Sequence, residues 1–282
     1  MRSVGSLLLH NRSLLWRKLK ARAVSLTSLP PGPVIGRVEG LEFEFDFEIG
    51  HEMAYLYRGW IEFETEDIMR AHLASGDTFI DVGANVGYYS ALGAGLVGTA
   101  GQVHSFEPVK KYYERLKFMA ERNPAFTIVH NPLALGDQSR IEKIAEAKPR
   151  NSGFNSLVPG LLPTDLIAKE DEVQVVRLDD YILENRLGRI ALIKIDAEGY
   201  EFPILRGMSR FFEATSERPP IISEVIPDAF PLLGERLEHL VDLMSSYGYG
   251  VFDPARPSHR LDLMRIDLPP LMGINVLFSQ DI

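Results

Sequence analysis

The chain contains no cysteine among its 282 residues, and its seven histidines are widely scattered. Without thiols it can form neither a disulfide nor a thiolate metal site. The histidines do not pair at the spacing of a zinc motif, and His104 and His130 fall in predicted strands, where we expect core residues. Stability must therefore come from a hydrophobic core, for which the 45% hydrophobic content suffices.

Long apolar runs are also missing, and positive charge is scarce. No stretch approaches the roughly 20 apolar residues of a transmembrane helix. The short run Leu7-Leu-Leu9, followed by Arg12, is too brief for the apolar region of a signal peptide. The net charge of −9 argues against nucleic acid as a partner. We therefore expect a cytoplasmic protein that binds no nucleic acid.

The basic residues that are present gather at the N-terminus. Residues 1–38 contain seven of the 30 Lys and Arg residues and none of the 39 acids, with an apolar stripe at helical spacing. Such a segment either packs on the acidic remainder of the chain or contacts an anionic membrane surface or an acidic partner. We favour packing, and we assign residues 1–54, including a proline-rich linker and the alternating strand 41–47, to an N-terminal appendage.

From residue 55 to residue 282, apolar strands alternate with amphipathic helices. The predicted strands are 78–82, 102–106, 127–131, 191–196 and 221–226, with a closing pair at 250–253 and 273–279. The predicted helices are 60–73, 86–96, 110–122, 179–186, 202–213 and 232–247. This alternation predicts an α/β fold with a doubly wound, mostly parallel sheet. Residues 148–170 interrupt it with prolines and glycines, and they predict a lid-like insertion at the ligand-binding edge.

Two runs place polar groups at the ends of neighbouring predicted strands. Residues 78–87 form a buried strand that ends in a glycine turn and opens a helix, and Glu107 ends the next strand. Backbone N–H groups at such a helix start hold polar ligands, and an acid at the next strand tip can accept both ribose hydroxyl hydrogens. The pair predicts a nucleoside cofactor.

The residues of the glycine turn indicate which nucleoside cofactor the site binds. Gly83-x-x-x-Gly87 differs from the G-x-G-x-x-G of a dinucleotide site, because Asn85 stands where a second glycine would let a pyrophosphate approach. Asp81 at the strand tip suits a cationic ligand better than a diphosphate. S-adenosylmethionine, a nucleoside that carries an amino acid and a sulfonium, fits these features better than NAD.

Further acids indicate a candidate reacting end, by which we mean the part of the site where the chemical step takes place. Asp196 follows an apolar strand, and Glu198 and Glu201 open the next helix, where the helix dipole also favours acids. Glu224 lies within an apolar strand, where a carboxylate is costly unless paired or used. We predict Asp196, Glu198 and Glu224 as the catalytic set, with Asp196 or Glu224 as general base. The same acids are an alternative site for one divalent cation, which we do not favour because no histidine is nearby.

Four motifs in a fixed order carry a resemblance to a known family. They are Asp81-Val-Gly-Ala-Asn-Val-Gly87, Phe106-Glu-Pro108, Ala134-Leu-Gly-Asp137 and Lys194-Ile-Asp-Ala-Glu-Gly-Tyr-Glu201. Together they resemble the FkbM-type family of S-adenosylmethionine-dependent methyltransferases over about residues 55–226. The chain departs from the family pattern at Tyr200, where histidine is frequent.

The resemblance implies roles for individual residues. Backbone groups near Gly83 and Ala84 would hold the amino and carboxylate ends of the cofactor, and Asp81 would orient its ammonium. Asp137 would accept from the adenine amino group, or it is a simple turn aspartate. The predicted cofactor-binding residues are Asp81, Gly83, Ala84, Asn85, Gly87, Glu107, Pro108, Asp137 and Asp196.

These expectations converge on an O-methyltransferase. Its substrate is predicted to be a hydroxyl on a saccharide, a glycolipid or a natural-product small molecule, as the resemblance implies. The alternatives are an NAD(P)-dependent oxidoreductase, which Asn85 opposes, and a non-catalytic nucleoside-fold scaffold. A scaffold has no need of the three strand-tip acids Asp81, Glu107 and Asp196. The sequence carries no signal for an oligomeric state.

Overall fold

The computed structural model describes residues 33–46, 62–148, 153–266 and 268–280. The strands are β1 Val34–Val38, β2 Leu41–Phe45, β3 Thr78–Val82, β4 Gln102–Phe106, β5 Thr127–Asn131, β6 Ala134–Leu135, β7 Arg140–Ala147, β8 Ile167–Val176, β9 Ile190–Ile195, β10 Ile221–Val225, β11 Gly250–Asp253, β12 Arg256–Arg260 and β13 Ile274–Ser279. The α-helices are α1 Phe63–His72, α2 Tyr88–Val97, α3 Lys110–Arg122, α4 Leu178–Glu184, α5 Glu201–Arg206, α6 Ser209–Ala214, α7 Ala229–Leu232 and α8 Leu237–Ser246.

Eight strands form the central sheet, in the order β12-β11-β13-β10-β9-β3-β4-β5. The five strands from β10 to β5 run parallel, whereas β13 pairs antiparallel with β10 and with β11. The chain winds outward in both directions from the β3–β9 pair. Ligands bind at the carboxyl ends of strands where such a reversal occurs. The predicted doubly wound, mostly parallel α/β fold is confirmed.

The parallel strands form where the sequence is continuously apolar. All residues of β3 and β9 are buried, as expected for strands covered on both faces. The helix α2 packs closely on this sheet because Gly93 leaves room for the ring of Phe79, which would lie 2.4 Å from an added Cβ atom. This tight packing fixes the strand tips that carry the predicted acids.

Two predicted helices have other bounds in the structure. The predicted helix 202–213 is split into α5 and α6 around Gly207, where a Cβ atom would lie 2.0 Å from the carbonyl oxygen of Gly136. The predicted helix 232–247 begins later, as α8 at Leu237, and the short helix α7 ends at Leu232, before Gly234 with its φ of 71°. The close approach at Gly207 and the left-handed backbone at Gly234 therefore interrupt helical structure where the apolar periodicity continues.

The insertion is more ordered than a loop. Residues 140–147 and 167–176 form the antiparallel pair β7–β8, which joins β6 in a separate three-stranded sheet. The sequence analysis missed these two strands, and the last four residues of the predicted insertion 148–170 belong to β8. The described part from residue 153 onward lies against the carboxyl edge of the main sheet, because Gly153 and Leu157 line the cavity described below.

The predicted strand near residue 41 is confirmed as β2, which pairs with β1 in a two-stranded sheet. Its alternate residues Phe43 and Phe45 are buried, and Asn123 at the end of α3 exchanges hydrogen bonds with the backbone of Glu42. The basic segment 1–32 and Phe47 lie outside the described residues. Among the described helices, none combines the length and apolar character that a membrane span requires.

Candidate active site

A cleft with about 630 Å³ of empty space, which includes solvent at its open mouth, forms a cavity at the carboxyl ends of β3, β4 and β9. Six of the predicted site residues line it: Gly83, Asn85, Glu107, Pro108, Asp196 and Glu198. Apolar side chains that the motifs did not indicate form much of the remaining wall, namely Phe106, Leu133, Leu135, Ile144 and Leu157. The combination of apolar walls with a few polar groups is typical of a small-molecule site.

The glycine loop is held against the neighbouring strand tips. A Cβ atom on Gly83 would lie 1.7 Å from the carbonyl oxygen of Asp196, so only glycine allows this contact. Gly87 has a φ of 89° and faces Leu116 of α3, where an added Cβ atom would lie 2.9 Å from the side chain. The two glycines therefore join the loop to the reacting end and to α3, respectively, as close packing requires.

The backbone donors of this loop already have partners. The N–H groups of Gly83 and Ala84 both donate to the carbonyl of Phe106, at 3.0 and 2.9 Å, and Gly87 N–H donates to Ala84. The backbone groups near Gly83 and Ala84 were predicted to hold the ends of the cofactor, and of these the two N–H groups already have a partner within the chain. Parallel pairing continues past the strand ends and uses these donors to fix the loop. Ala84 and Gly87 do not appear among the residues that line the cavity.

Glu107 lines the cavity directly after the end of β4. Its Oε2 accepts from Asn85 N–H at 2.8 Å and its Oε1 accepts from Val109 N–H at 2.8 Å. Burial raises the pKa of Glu107 to about 7, although the two backbone hydrogen bonds act in the opposite direction. Each carboxylate oxygen has a second lone pair, so the fixed carboxylate still has capacity for two hydroxyl groups.

Asp81 lies behind the cavity wall and is fully buried. Its Oδ2 accepts from the Ser90 hydroxyl at 2.6 Å, and its Oδ1 has no hydrogen-bond partner among the described residues. Burial raises the pKa of Asp81, and the charge of Lys194 opposes this shift. A buried acceptor without a partner is costly and calls for a donor from outside the described chain.

Asp137 is placed differently from the prediction. Its carboxylate is paired with Arg140 at 3.1 Å and with Arg206 at 2.5 Å, and Arg177 donates to its backbone carbonyl. It is not among the residues that line the cavity. Asp137 therefore ties the turn after β6 to β7 and α5, and the structure does not support its predicted contact with adenine.

The three predicted catalytic acids meet at the other end of the site. Carboxylate oxygens of Asp196, Glu198 and Glu224 lie within 4.8 Å of one another, and we call these residues the acidic cluster. Burial first, and then the charge of Asp196, raise the pKa values of Glu198 and Glu224. The cluster is close enough to share a proton or to hold one cation. Among the described residues it is the one group of this kind.

The turn between β9 and α5 (residues 196–201, the acid turn) is braced from within. Glu201 is buried, and its Oε1 accepts from the N–H groups of Ala197 at 2.9 Å and Gly199 at 3.1 Å. Glu198 has a φ of 50° and Gly199 a φ of 95°. The Glu201 carboxylate thus stabilises an unfavourable backbone conformation that directs Glu198 toward the cavity. The sequence analysis treated Glu201 as a helix-start acid, and its capping bonds agree with that alternative.

Lys194, which was not among the predicted site residues, also lies at the reacting end. Lys194 is 3% exposed, and its Nζ lies 2.8 Å from Oδ2 of Asp196. The signal for it was present, because a lysine inside the apolar run 190–195 is unusual.

Comparisons with known proteins find a matching family and several similar proteins. The family described as "Methyltransferase FkbM domain" matches residues 81–251. The 31-O-demethyl-FK506 methyltransferase FkbM of Streptomyces tacrolimicus is 27% identical, over 81% of this chain and 90% of that protein. The hexuronic acid methyltransferase AglP of Haloferax volcanii is 24% identical, over 71% of this chain and 76% of that protein. The solved FkbM methyltransferase of Methylobacillus flagellatus KT aligns with a TM-score of 0.43 at 15% identity, over 84% of this chain and 56% of that chain.

Proposed function

Because the chain belongs to the FkbM methyltransferase family, we propose that it is an S-adenosylmethionine-dependent O-methyltransferase. Its acceptor would be a hydroxyl group on a saccharide, a glycolipid or a natural-product small molecule. One observation carries the proposal: the fixed carboxylate of Glu107 and the carboxylate of Asp196 line a single cavity. The names of the relatives, a 31-O-demethyl-FK506 methyltransferase and a hexuronic acid methyltransferase, support a small-molecule or saccharide acceptor.

The residues present fit S-adenosylmethionine. Glu107 offers two fixed oxygens to the ribose hydroxyls, and the apolar wall, including Leu133 and Leu135, suits adenine. The unpartnered oxygen of Asp81 lies behind the cavity wall and suits the ammonium of the methionine part through a bridging water. When bound, S-adenosylmethionine supplies a methyl group on a sulfonium, so that the acceptor oxygen forms the new C–O bond while sulfur keeps the electron pair of the C–S bond.

The chain's own chemical task is to remove the hydroxyl proton. We assign this role to Asp196, because it lines the cavity at the tip of β9, whereas burial and neighbouring charge raise the pKa values of Glu198 and Glu224. A proton-accepting group must lie within hydrogen-bond reach of the hydroxyl. Asp196 takes the proton as the bond to carbon forms. Glu198 also lines the cavity, whereas Glu224 does not line it and contacts the site through the acidic cluster.

A divalent cation on the acidic cluster is the metal-assisted variant of the same proposal. We do not favour it, because the Lys194 ammonium already contacts Oδ2 of Asp196 at 2.8 Å and supplies a positive charge there. The two variants differ in their response to chelation. A metal-dependent enzyme would lose turnover in EDTA and regain it with Mg²⁺ or Mn²⁺. In the favoured mechanism, turnover changes neither with EDTA nor with the added metal.

We also propose that the insertion 148–170 covers the acceptor. Ser156 is buried and donates from its hydroxyl to the carbonyl of Glu198 at 2.6 Å. Asn155 and Leu157 beside it line the cavity. The segment therefore touches both the acid turn and the ligand space, as a cover that excludes water from the reacting end does.

The first test is calorimetric titration of the full chain with S-adenosylhomocysteine, with NAD as the matched control, before and after chelator treatment. Binding of the sulfur nucleoside alone supports the proposal, and binding of NAD alone would establish the oxidoreductase alternative. Transfer of labelled methyl groups is then measured on a panel of neutral saccharides, hexuronic acids and macrolide alcohols. A chain that binds neither nucleoside would point to the scaffold alternative.

A further inference from the structure

The lysine in the centre of the sheet has no role in the mechanism so far. Lys194 lies in β9 between two parallel neighbours, opposite Asp81 of β3 and Ile222 of β10. Its side chain is 3% exposed. A lysine in the middle of a parallel sheet is costly, because its ammonium loses hydration and β9 is otherwise entirely apolar. A buried lysine of this kind therefore needs an opposite charge nearby to offset the cost.

The contacts of Lys194 join the reacting end to the ring of Tyr89 in α2. Its Nζ donates to Oδ2 of Asp196 at 2.8 Å and stands 4.6 Å from the centre of the Tyr89 ring. The Tyr89 hydroxyl in turn donates to Glu62 at 3.0 Å. Burial lowers the pKa of the Lys194 ammonium, but Asp196 and Asp81 more than offset this, so its pKa is raised and it stays charged.

The other acids beside Asp196 cannot neutralise it. Glu198 and Glu224 have carboxyl oxygens within 4.8 Å of an Asp196 oxygen, and burial and the charge of Asp196 raise the pKa values of both. A carboxyl group carries no positive charge in either protonation state. Among the ion pairs of the described residues, the contact from Lys194 is the one that reaches this cluster. Its ammonium therefore supplies the compensating charge and fixes one of the two Asp196 oxygens.

We propose that Lys194 is a positioning residue for methyl transfer: it holds Asp196 through Oδ2 and leaves the second carboxylate oxygen for the acceptor hydroxyl. The aromatic face of Tyr89 keeps the ammonium in place from the opposite side. This inference rests on the proposed function, because it assigns Lys194 to the same reaction. It adds a residue that acts through the base and touches neither the acceptor nor the cofactor.

A double-mutant cycle tests the inference on an acceptor from the panel above. We expect Lys194→Met to lower kcat by about 10²- to 10⁴-fold, as loss of a general base does, with the affinity for S-adenosylhomocysteine within about threefold of wild type. If Lys194 acts through Asp196, Lys194→Met causes no further loss in an Asp196→Asn background. Equal losses in both backgrounds would overturn the proposal, because they would show a role independent of Asp196.

A conservative variant and a surface control separate positioning from folding. Lys194→Arg keeps the charge and is expected to recover at least about tenfold of the kcat lost in Lys194→Met. Lys117→Met removes a lysine that pairs with Glu121 on the surface of α3, and it should leave kcat unchanged. An arginine variant no better than methionine, at unchanged melting temperature, would contradict a role for the charge.

A measurement without any acceptor distinguishes failure of this inference from failure of the proposed function. NMR of the lysine ammonium groups in the full chain should show one slowly exchanging signal, assigned through its loss in Lys194→Arg. Asp196→Asn should abolish or shift that signal, because it breaks the 2.8 Å contact. A signal that Asp196→Asn leaves unchanged overturns the inference, whatever nucleoside or acceptor the protein binds.

Discussion

The two ends of the site treat their carboxylates differently. At the cofactor end, both oxygens of Glu107 accept from backbone N–H groups, and the glycine loop satisfies its own donors. At the reacting end, Asp196, Glu198 and Glu224 crowd together, and one lysine opposes their charge. The first arrangement is rigid before any ligand arrives, as binding without a large ordering cost requires. The second arrangement keeps three carboxyl groups close together, which is unfavourable by itself and is typical of functional sites.

The largest expected effect is the loss of cofactor binding when Glu107 is replaced. Glu107→Ala should abolish measurable binding of S-adenosylhomocysteine while the chain remains folded. It removes two charge-assisted hydrogen bonds to ribose, each worth about 1.5–3 kcal/mol. Isothermal calorimetry measures the affinity, and circular dichroism verifies the fold.

The matched control for Glu107 is the other acid that was predicted to bind the cofactor. Asp137→Asn alters a carboxylate that pairs with Arg140 and Arg206 outside the cavity wall. We expect its affinity for S-adenosylhomocysteine to stay within about threefold of wild type. Wild-type affinity in Glu107→Ala, or loss of affinity in Asp137→Asn, would reverse the assignment of the two acids.

The second-largest expected effect is a loss of turnover without a loss of cofactor affinity, when Asp196 at the reacting end is replaced. Asp196→Asn should lower kcat by about 10²- to 10⁴-fold, because an amide cannot take the hydroxyl proton. Cofactor affinity should be retained, since Glu107 and the glycine loop are untouched. Single-turnover methyl transfer and calorimetry on the same preparation report the two quantities. An active Asp196→Asn variant would move the base to Glu224, and the matching Glu224→Gln variant would then be inactive.

A third effect follows from the pKa of Glu107, which burial raises from 4.5 to about 7. The ionised form accepts both ribose hydroxyls, so affinity for S-adenosylhomocysteine should fall below about pH 7, by up to about tenfold per pH unit. Stability should change in the opposite direction. Between about pH 4.5 and 7 the folded chain retains a proton that the unfolded chain releases, so this group's contribution to the free energy of unfolding decreases as pH rises.

Two measurements check this pH dependence. Calorimetry in buffers of different ionisation enthalpy should show proton release on binding near pH 7. Glu107→Gln, which is neutral at every pH, should bind weakly with a flat pH profile. Wild-type affinity that is constant from about pH 6 to 8 would mean that Glu107 is already ionised throughout that range.

The tips of the parallel strands were more predictable than the turns between them, for physical reasons. The tip of a parallel strand is fixed by the apolar run that precedes it, so Glu107 and Asp196 could be placed from the sequence. β3, β4 and β5 begin and end at the predicted residues. The partners of Asp137 could not be predicted, because Arg206 lies 69 residues away and reaches it only after α5 has packed.

The small sheet escaped prediction for a related reason. The sequence of β7, Arg-Ile-Glu-Lys-Ile-Ala-Glu-Ala, is rich in residues that favour helices, and its strand conformation depends on pairing with β8 across the insertion. Lys194 posed a similar problem, because the strand it belongs to was predicted while its ion pair was not. In both cases tertiary contacts decide what local preference leaves open.

The smallest expected effect concerns the cover over the reacting end. Ser156→Ala removes the hydroxyl that donates to the Glu198 carbonyl and accepts from Val158 N–H. Loss of such a bond costs about 1 kcal/mol, or roughly fivefold. We expect this loss in the KM for the acceptor, with S-adenosylhomocysteine affinity unchanged, because Glu107 and the cofactor loop make no contact with this hydroxyl. Ser246→Ala, which removes a hydroxyl bonded to the Leu243 carbonyl in α8, is the matched control and should alter neither. Equal weakening of cofactor and acceptor by Ser156→Ala would show that the insertion supports the whole cavity and does not serve the reacting end alone.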